Sequence, residues 1–312
     1  MKLKPSENTQ LYGMDHYFNE ITNLYNKKKM PTKILLSGKK GLGKSTLAYH
    51  LINHFLSEGE EFKYNSDEFI IDKKNRSFKL LQNNTHPNFY SIDLLKDKKN
   101  IDVAQIREMI AYANKSTFNN MSRFILIDNI ENLNKSSVNA LLKIIEEPNN
   151  KIYFILISNG EKNILPTLKS RCLTFKINLT FNESISISNQ ILNDNIFELI
   201  NYDLINFYNT PGEIVNLINF AVDKKINIKE ISLFNLLNLL IDNGYYKKNK
   251  FIKKILINFI ELFFLKEYSL STTRNSLLDF YHNFIYKIHN VEKFNLDEES
   301  LFLEFKSKLL NG

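Results

Sequence analysis

The run Gly38-Lys39-Lys40-Gly41-Leu42-Gly43-Lys44-Ser45 fits the pattern G-x-x-x-x-G-K-[ST] at every position, and it constrains the fold more than any other stretch of this 312-residue chain. It follows the apolar strand Ile34-Leu35-Leu36 and precedes Thr46 to Leu56, whose spacing predicts a helix. Strand, glycine-rich turn and helix in that order make the phosphate loop of a parallel α/β sheet. Gly38, Gly41 and Gly43 let successive backbone N–H groups turn inward at the N-terminus of the helix that Thr46 continues, where the helix dipole also favours an anion. Lys44 is then placed to reach the β- and γ-phosphates of a nucleoside triphosphate and Ser45 to ligate Mg²⁺, with Thr46 beside them in the expected binding set. Phe124-Ile125-Leu126-Ile127-Asp128 supplies the complement, an apolar strand ending in a carboxylate that can hold Mg²⁺ through its water shell.

Around this pair the chain alternates strand and helix signals from Lys33 to Ser170, as expected of an α/β domain with a central parallel sheet. Strands are predicted at Lys33 to Ser37, Asn88 to Asp93, Arg123 to Asp128 and Ile152 to Ser158. Asp102, with Gln105 three residues on, forms a capping box before a helix from Val103 to Asn114. Asn134 opens another helix, which Pro148 ends. Ser57 to Pro87 is polar and weakly patterned and reads as an irregular insertion. His50 and His54 are four residues apart on one helix, but no Glu accompanies them as a zinc protease requires, so they read as ordinary surface imidazoles.

After Leu179 the strand signal fades and the chain reads as helical, with breaks near Thr210-Pro211-Gly212 and Asn243-Gly244. Charge divides it further. Residues 1 to 180 carry 27 Lys and Arg against 18 Asp and Glu, residues 181 to 222 carry none against 5, and residues 223 to 312 carry 14 against 11. Boundaries near 180 and 223 follow, giving a nucleotide-binding domain (1–180), a small helical domain (181–222) and a C-terminal helical domain (223–312). The net charge of +7 suits a nucleotide or nucleic-acid partner, although many of the lysines need be no more than a solvated surface. The single cysteine, Cys172, supports neither an intrachain disulfide nor a cysteine-based zinc site. Met1 to Glu7 leads into no apolar stretch of a secretory signal. The run Ile255 to Leu265 is interrupted by Asn258 and Glu261 and is too short to span a bilayer, so a buried helix and a cytoplasmic location are expected.

The stretch Arg123 to Cys172 resembles the core of bacterial DNA polymerase III clamp-loader subunits. It holds the strand ending in Asp128, then Asn139-Ala140-Leu141-Leu142-Lys143, Glu146-Glu147-Pro148, Leu165-Pro166-Thr167 and Ser170-Arg171-Cys172; Leu11-Tyr12-Gly13 and His86-Pro87-Asn88 extend the likeness upstream. The resemblance implies an AAA+ fold: a RecA-like domain, a helical lid and a helical collar that oligomerises. It also implies ATP and Mg²⁺ as cofactors, a place in the DNA-directed DNA polymerase (nucleotidyltransferase) holoenzyme, and tau/gamma and delta subunits, the sliding clamp and primed DNA as partners. Ser158 or Asn159 would be the polar sensor at the end of the fourth strand. Arg171 would be an arginine finger acting in trans on ATP held by a neighbouring subunit.

Within that family the residues favour the delta-prime group over the hydrolysing tau/gamma motor. Hydrolysis needs a carboxylate directly after the metal-binding aspartate, and Asn129 stands there instead. Glu131 is too far along the chain to replace it. Thr210-Pro211-Gly212-Glu213 resembles the lid motif, with Glu213 where an arginine is often found. The expectation is a chain that binds ATP, hydrolyses it poorly, lacks zinc and serves as a stator; an active motor subunit is the alternative.

Overall fold

The computed structural model describes residues 4–95, 98–115, 121–146, 151–160, 162–206, 209–270, 274–294 and 297–310. In chain order the helices and strands are α1 (Asp15–Asn26), β1 (Lys33–Ser37), α2 (Lys44–Leu56), α3 (Arg76–Gln82), β2 (Phe89–Ile92), α4 (Val103–Ala113), β3 (Arg123–Ile127), α5 (Lys135–Glu146), β4 (Ile152–Ser158), α6 (Pro166–Lys169), β5 (Leu173–Lys176) and α7 (Phe181–Leu192), then α8 (Ile196–Leu199), α9 (Pro211–Lys224), α10 (Leu233–Asp242), α11 (Tyr245–Lys248), α12 (Lys250–Leu270), α13 (Arg274–Phe294) and α14 (Glu299–Phe305). They pack into two compact units, one of residues 1–193 and 209–219, the other of residues 194–208 and 220–312.

The first unit is built on a five-stranded sheet of order β2-β3-β4-β1-β5, parallel throughout. A parallel sheet is covered on both faces, so its central strands read as continuous apolar runs, and β3 is buried at all five positions. Successive side chains serve opposite faces. Ile34 and Leu36 join Phe124, Leu126, Ile155 and Ile157 in a core with α1 and α2, while Leu35 joins Ile125, Ile127, Phe154 and Leu156 under α4 and α5. Because every strand points the same way, Gly38, Asp128 and Asn159 all emerge at the carboxyl edge, where open α/β sheets bind ligands.

Four strands and the helix starts agree with the sequence to within a residue or two. The Asp102 and Gln105 capping box is formed, and the Asn134 side chain accepts from the Ser137 N–H at 2.8 Å. Glu147 and Pro148 lie outside the described residues. The fifth strand, Leu173–Lys176, has no counterpart among the strands predicted from the sequence: it is a four-residue edge strand with Leu173 42% exposed, too short and too mixed to stand out.

The segment from Ser57 to Pro87 is not merely an irregular insertion. It carries α3 and buries Tyr64, Ile71, Phe78 and Leu81 in the same core as α1 and α2. Its turns are held by polar bonds that hydropathy does not register, such as Asn53 Nδ2 to Asn75 Oδ1 at 3.0 Å and the Ser77 hydroxyl to Glu60 Oε1 at 2.6 Å.

That burial corrects the reading of the two histidines as surface imidazoles. His50 is fully buried, with Nδ1 3.0 Å from the Tyr64 hydroxyl, and His54 is half-buried against Phe18 and Tyr64. Burial holds the His50 pKa down, to about 4. The folded chain therefore refuses, between pH 6.5 and about 4, a proton that the unfolded chain accepts. This contribution to stability is intact above pH 6.5 and is lost as pH falls through that window. Between pH 7 and 5 the loss is on the order of 2 kcal/mol, and His50→Gln should lack this part of the decline when urea midpoints are compared at the two values.

The second unit is helical. Its α12 is buried on one face, at Ile252, Ile255, Leu256, Phe259, Ile260, Phe263 and Phe264, while Leu265 is 64% exposed. The 3.6-residue spacing makes it a one-sided packing helix. Phe264 packs against Phe280, Tyr281, Phe284 and Phe305. Among the described residues no helix is long and apolar enough to cross a membrane.

Candidate nucleotide-binding site

The turn from β1 to α2 places the phosphate-loop residues as their types require. Gly41 and Gly43 adopt φ of 87° and 92°, the left-handed region in which a side chain is strained. Lys44 opens α2, is only 3% exposed, and its Nζ donates to the Lys39 carbonyl at 2.6 Å. The ammonium is thus folded back inside its own loop. The Ser45 hydroxyl donates to Asp128 Oδ2, joining the two predicted metal ligands directly. Thr46 Oγ1 accepts from the Asn8 side chain at 3.2 Å, so it ties the N-terminal segment to α2.

Asp128 is half-buried, and its pKa is raised, chiefly by its removal from water and further by nearby Asp93; the Ser45 hydroxyl, the Asn129 N–H and Lys44 oppose the shift. A divalent cation would offset the same cost. A buried lysine and a hydroxyl at a helix N-terminus, with a half-buried carboxylate after the adjacent strand, form a donor set that fits a magnesium-bound triphosphate.

Asn129 is in the left-handed region, with φ of 57°, which asparagine tolerates. Its amide is engaged at both ends: Nδ2 donates to Asp93 Oδ1 at 2.6 Å, and Oδ1 accepts from Asn159 Nδ2 at 2.7 Å. Of the two candidates for the polar sensor, Asn159 therefore joins this cluster. Ser158 is buried, and its Oγ accepts from the Gly160 N–H at 3.3 Å. Glu131 turns to Asn159 as well, with Oε1 accepting its backbone N–H at 3.0 Å, while its buried Oε2 has no partner among the described residues. Nothing in the sequence singled out Asp93, since an acid at a strand end is common; only the pairing of β2 with β3 brings it here.

The start of α9 lies directly on the phosphate loop. Thr210 Oγ1 donates to the Lys40 carbonyl at 3.0 Å, and the Gly212 N–H donates to the Gly41 carbonyl at 2.9 Å. A Cβ on Gly212 would stand 2.8 Å from the Gly41 Cα, so only glycine permits this approach. Glu213 accepts from the Thr210 N–H at 3.2 Å while its own N–H donates to Thr210 Oγ1 at 3.3 Å. This reciprocal capping box gives an acid at that position a local reason.

Arg171 follows α6. Its guanidinium pairs with Glu146 Oε1 at 2.7 Å and donates to the Thr167 carbonyl at 2.8 Å. Both side chains are substantially exposed, at 37% and 49%. Among the described residues no three His, Cys, Asp or Glu side chains gather as a metal-ion cluster.

A parallel sheet with a phosphate loop after its first strand, an aspartate ending the third and a polar residue after the fourth defines a P-loop α/β protein. The family model for DNA polymerase III, delta subunit, matches residues 13–180, and the chain belongs to that family. Among curated relatives, it is 31% identical over 188 residues to the DNA polymerase III subunit delta' of Buchnera aphidicola subsp. Schizaphis graminum, covering 58% of this chain and 54% of the relative. It is 26% identical over 317 residues to the DNA polymerase III subunit gamma of Buchnera aphidicola subsp. Acyrthosiphon pisum, covering 97% and 83%. The chain spans about half the length of the first curated relatives it matches. Among solved structures, a gamma subunit-related protein of Thermotoga maritima aligns with a TM-score of 0.41 at 16% identity, over 83% of this chain and 76% of that one.

Proposed function

We propose that this chain is a delta-prime-type stator of the DNA polymerase III clamp loader. It binds ATP with Mg²⁺ through Lys44, Ser45 and Asp128, hydrolyses it poorly, and presents Arg171 to ATP on a neighbouring motor subunit while the sliding clamp is loaded onto primed DNA. The observation that carries this reading is a complete set of binding groups beside an incomplete hydrolytic one: where a carboxylate should follow Asp128 stands Asn129, its amide already engaged by Asp93 and Asn159. Tau/gamma and delta subunits are the partners, the setting is the cytoplasm, and DNA is met through the complex with salt-sensitive affinity. Residues 1–180, 181–222 and 223–312 then act as nucleotide-binding, lid and collar parts.

Calorimetry of the intact chain with Mg·ATP tests binding. Lys44→Ala should weaken it by roughly 10- to 150-fold, the scale of one charge-assisted contact of about 1.5–3 kcal/mol. An active motor subunit is the second reading, and the likeness to a gamma subunit over 97% of the chain favours it. Robust ATP turnover by the purified chain with primed DNA, abolished by Lys44→Ala, would select the motor and sink the stator.

A further inference from the structure

The carboxylate absent after Asp128 has a counterpart on the neighbouring strand. Strands β2 and β3 pair in parallel with Ile92 opposite Ile127, and the Asp128 N–H donates to the Ile92 carbonyl at 2.9 Å. Residues 93 and 128 therefore leave the sheet side by side at its carboxyl edge. Asp93 accepts the Asn129 amide at 2.6 Å and its charge acts on Asp128. Its other side-chain bond, from the Leu94 N–H at 2.6 Å, also falls on Oδ1. Asp93 is exposed, and both of these bonds leave its Oδ2 without a hydrogen-bond partner among the described residues. Acid and amide are both present beside the metal-binding aspartate, with the amide directly after it and the acid one strand away.

We propose that Asp93 holds the attacking water and takes its proton in whatever slow hydrolysis this chain performs, with Asn129 fixing the Asp93 carboxylate instead of acting on water itself. The inference rests on the ATP binding proposed above. In the step, the water oxygen bonds to the γ-phosphorus as the bond from that phosphorus to the bridging oxygen breaks. One water proton passes to Asp93, ADP and phosphate leave, and the exposed carboxylate returns the proton to solvent. Asn129 cannot take this part, because an amide accepts no proton and both ends of this one are engaged.

Asp93→Asn keeps a side chain that can still accept from Asn129 but cannot serve as the base. In the intact chain with Mg·ATP and primed DNA, it should lower kcat by about 10²-fold or more, down to the rate of Lys44→Ala, with KM and the calorimetric ATP affinity changed less than about threefold. The exchanged pair, Asp93→Asn with Asn129→Asp, should recover part of the lost turnover. Turnover of Asp93→Asn equal to that of the unaltered chain, a loss expressed only in KM or ATP affinity, or an unaltered chain no faster than Lys44→Ala would each overturn the proposal. Robust turnover that Asp93→Asn abolishes sustains Asp93 while sinking the stator; absence of ATP binding by the unaltered chain removes both.

Discussion

If the proposed role of Arg171 holds, replacing it by alanine is expected to lower the ATPase of the reconstituted loader by up to about 10³ to 10⁵-fold, the scale an arginine finger supplies, while the ATP binding proposed for this chain stays unchanged. The expectation draws on where the guanidinium rests. Its present partners, Glu146 and the Thr167 carbonyl, hold it at the surface, and an exposed pair of this kind is worth about 0–1 kcal/mol. Exchanging that carboxylate for a phosphate costs little and lets the guanidinium fork onto two oxygens, which lysine cannot do. Arg171→Lys should accordingly fall between the unaltered chain and alanine in steady-state assays. A reconstituted loader whose turnover ignores both substitutions would show that Arg171 serves only its pair with Glu146.

Phe124→Ala should destabilise the sheet-containing unit by about 3–5 kcal/mol. Phe124 is fully buried on β3 and sits within an aromatic column. It stacks on Phe55 with ring centroids 5.2 Å apart and on Tyr153 at 5.5 Å, and Phe55 in turn stacks on Tyr25 at 4.1 Å. The column joins α1, α2, β3 and β4, so its removal leaves a cavity bounded by four elements that cannot all close on it. Phe124→Leu, which fills more of the volume, should lose clearly less. Chemical denaturation reads both, and an alanine variant losing under about 1 kcal/mol would mean that the column rearranges.

The legible parts of this chain are those in which neighbours in sequence decide the outcome. The phosphate loop, its flanking strand and helix, the Asp102 capping box and the apolar strands β1, β3 and β4 depend on periodicity and turn chemistry within about a dozen residues. What stayed hidden depends on partners far along the chain. The edge strand β5 exists because β1 offers it a partner. His50 is interior because Tyr64 folds over α2. Asn129 is recognisable as a missing carboxylate from sequence alone, but its engagement with Asp93, 36 positions away, depends on which strand lies beside which. Glu213 stands in the sequence only as an acid where an arginine is often found, and its capping contacts with Thr210 show only in the fold.

The meeting of Gly41 with Gly212 has a consequence for taking the molecule apart. Residues 209–219 belong with the sheet-containing unit, yet the chain reaches them only after passing through residues 194–208, which belong with the other. No single cut therefore yields either unit whole. A fragment ending at residue 193 would retain every phosphate-loop residue and still lack the two hydrogen bonds that Thr210 and Gly212 make to the loop's carbonyls. Weak nucleotide binding by such a fragment would report the missing first turn of α9, and only a protein retaining residues 209–219 can serve as the measure of the site.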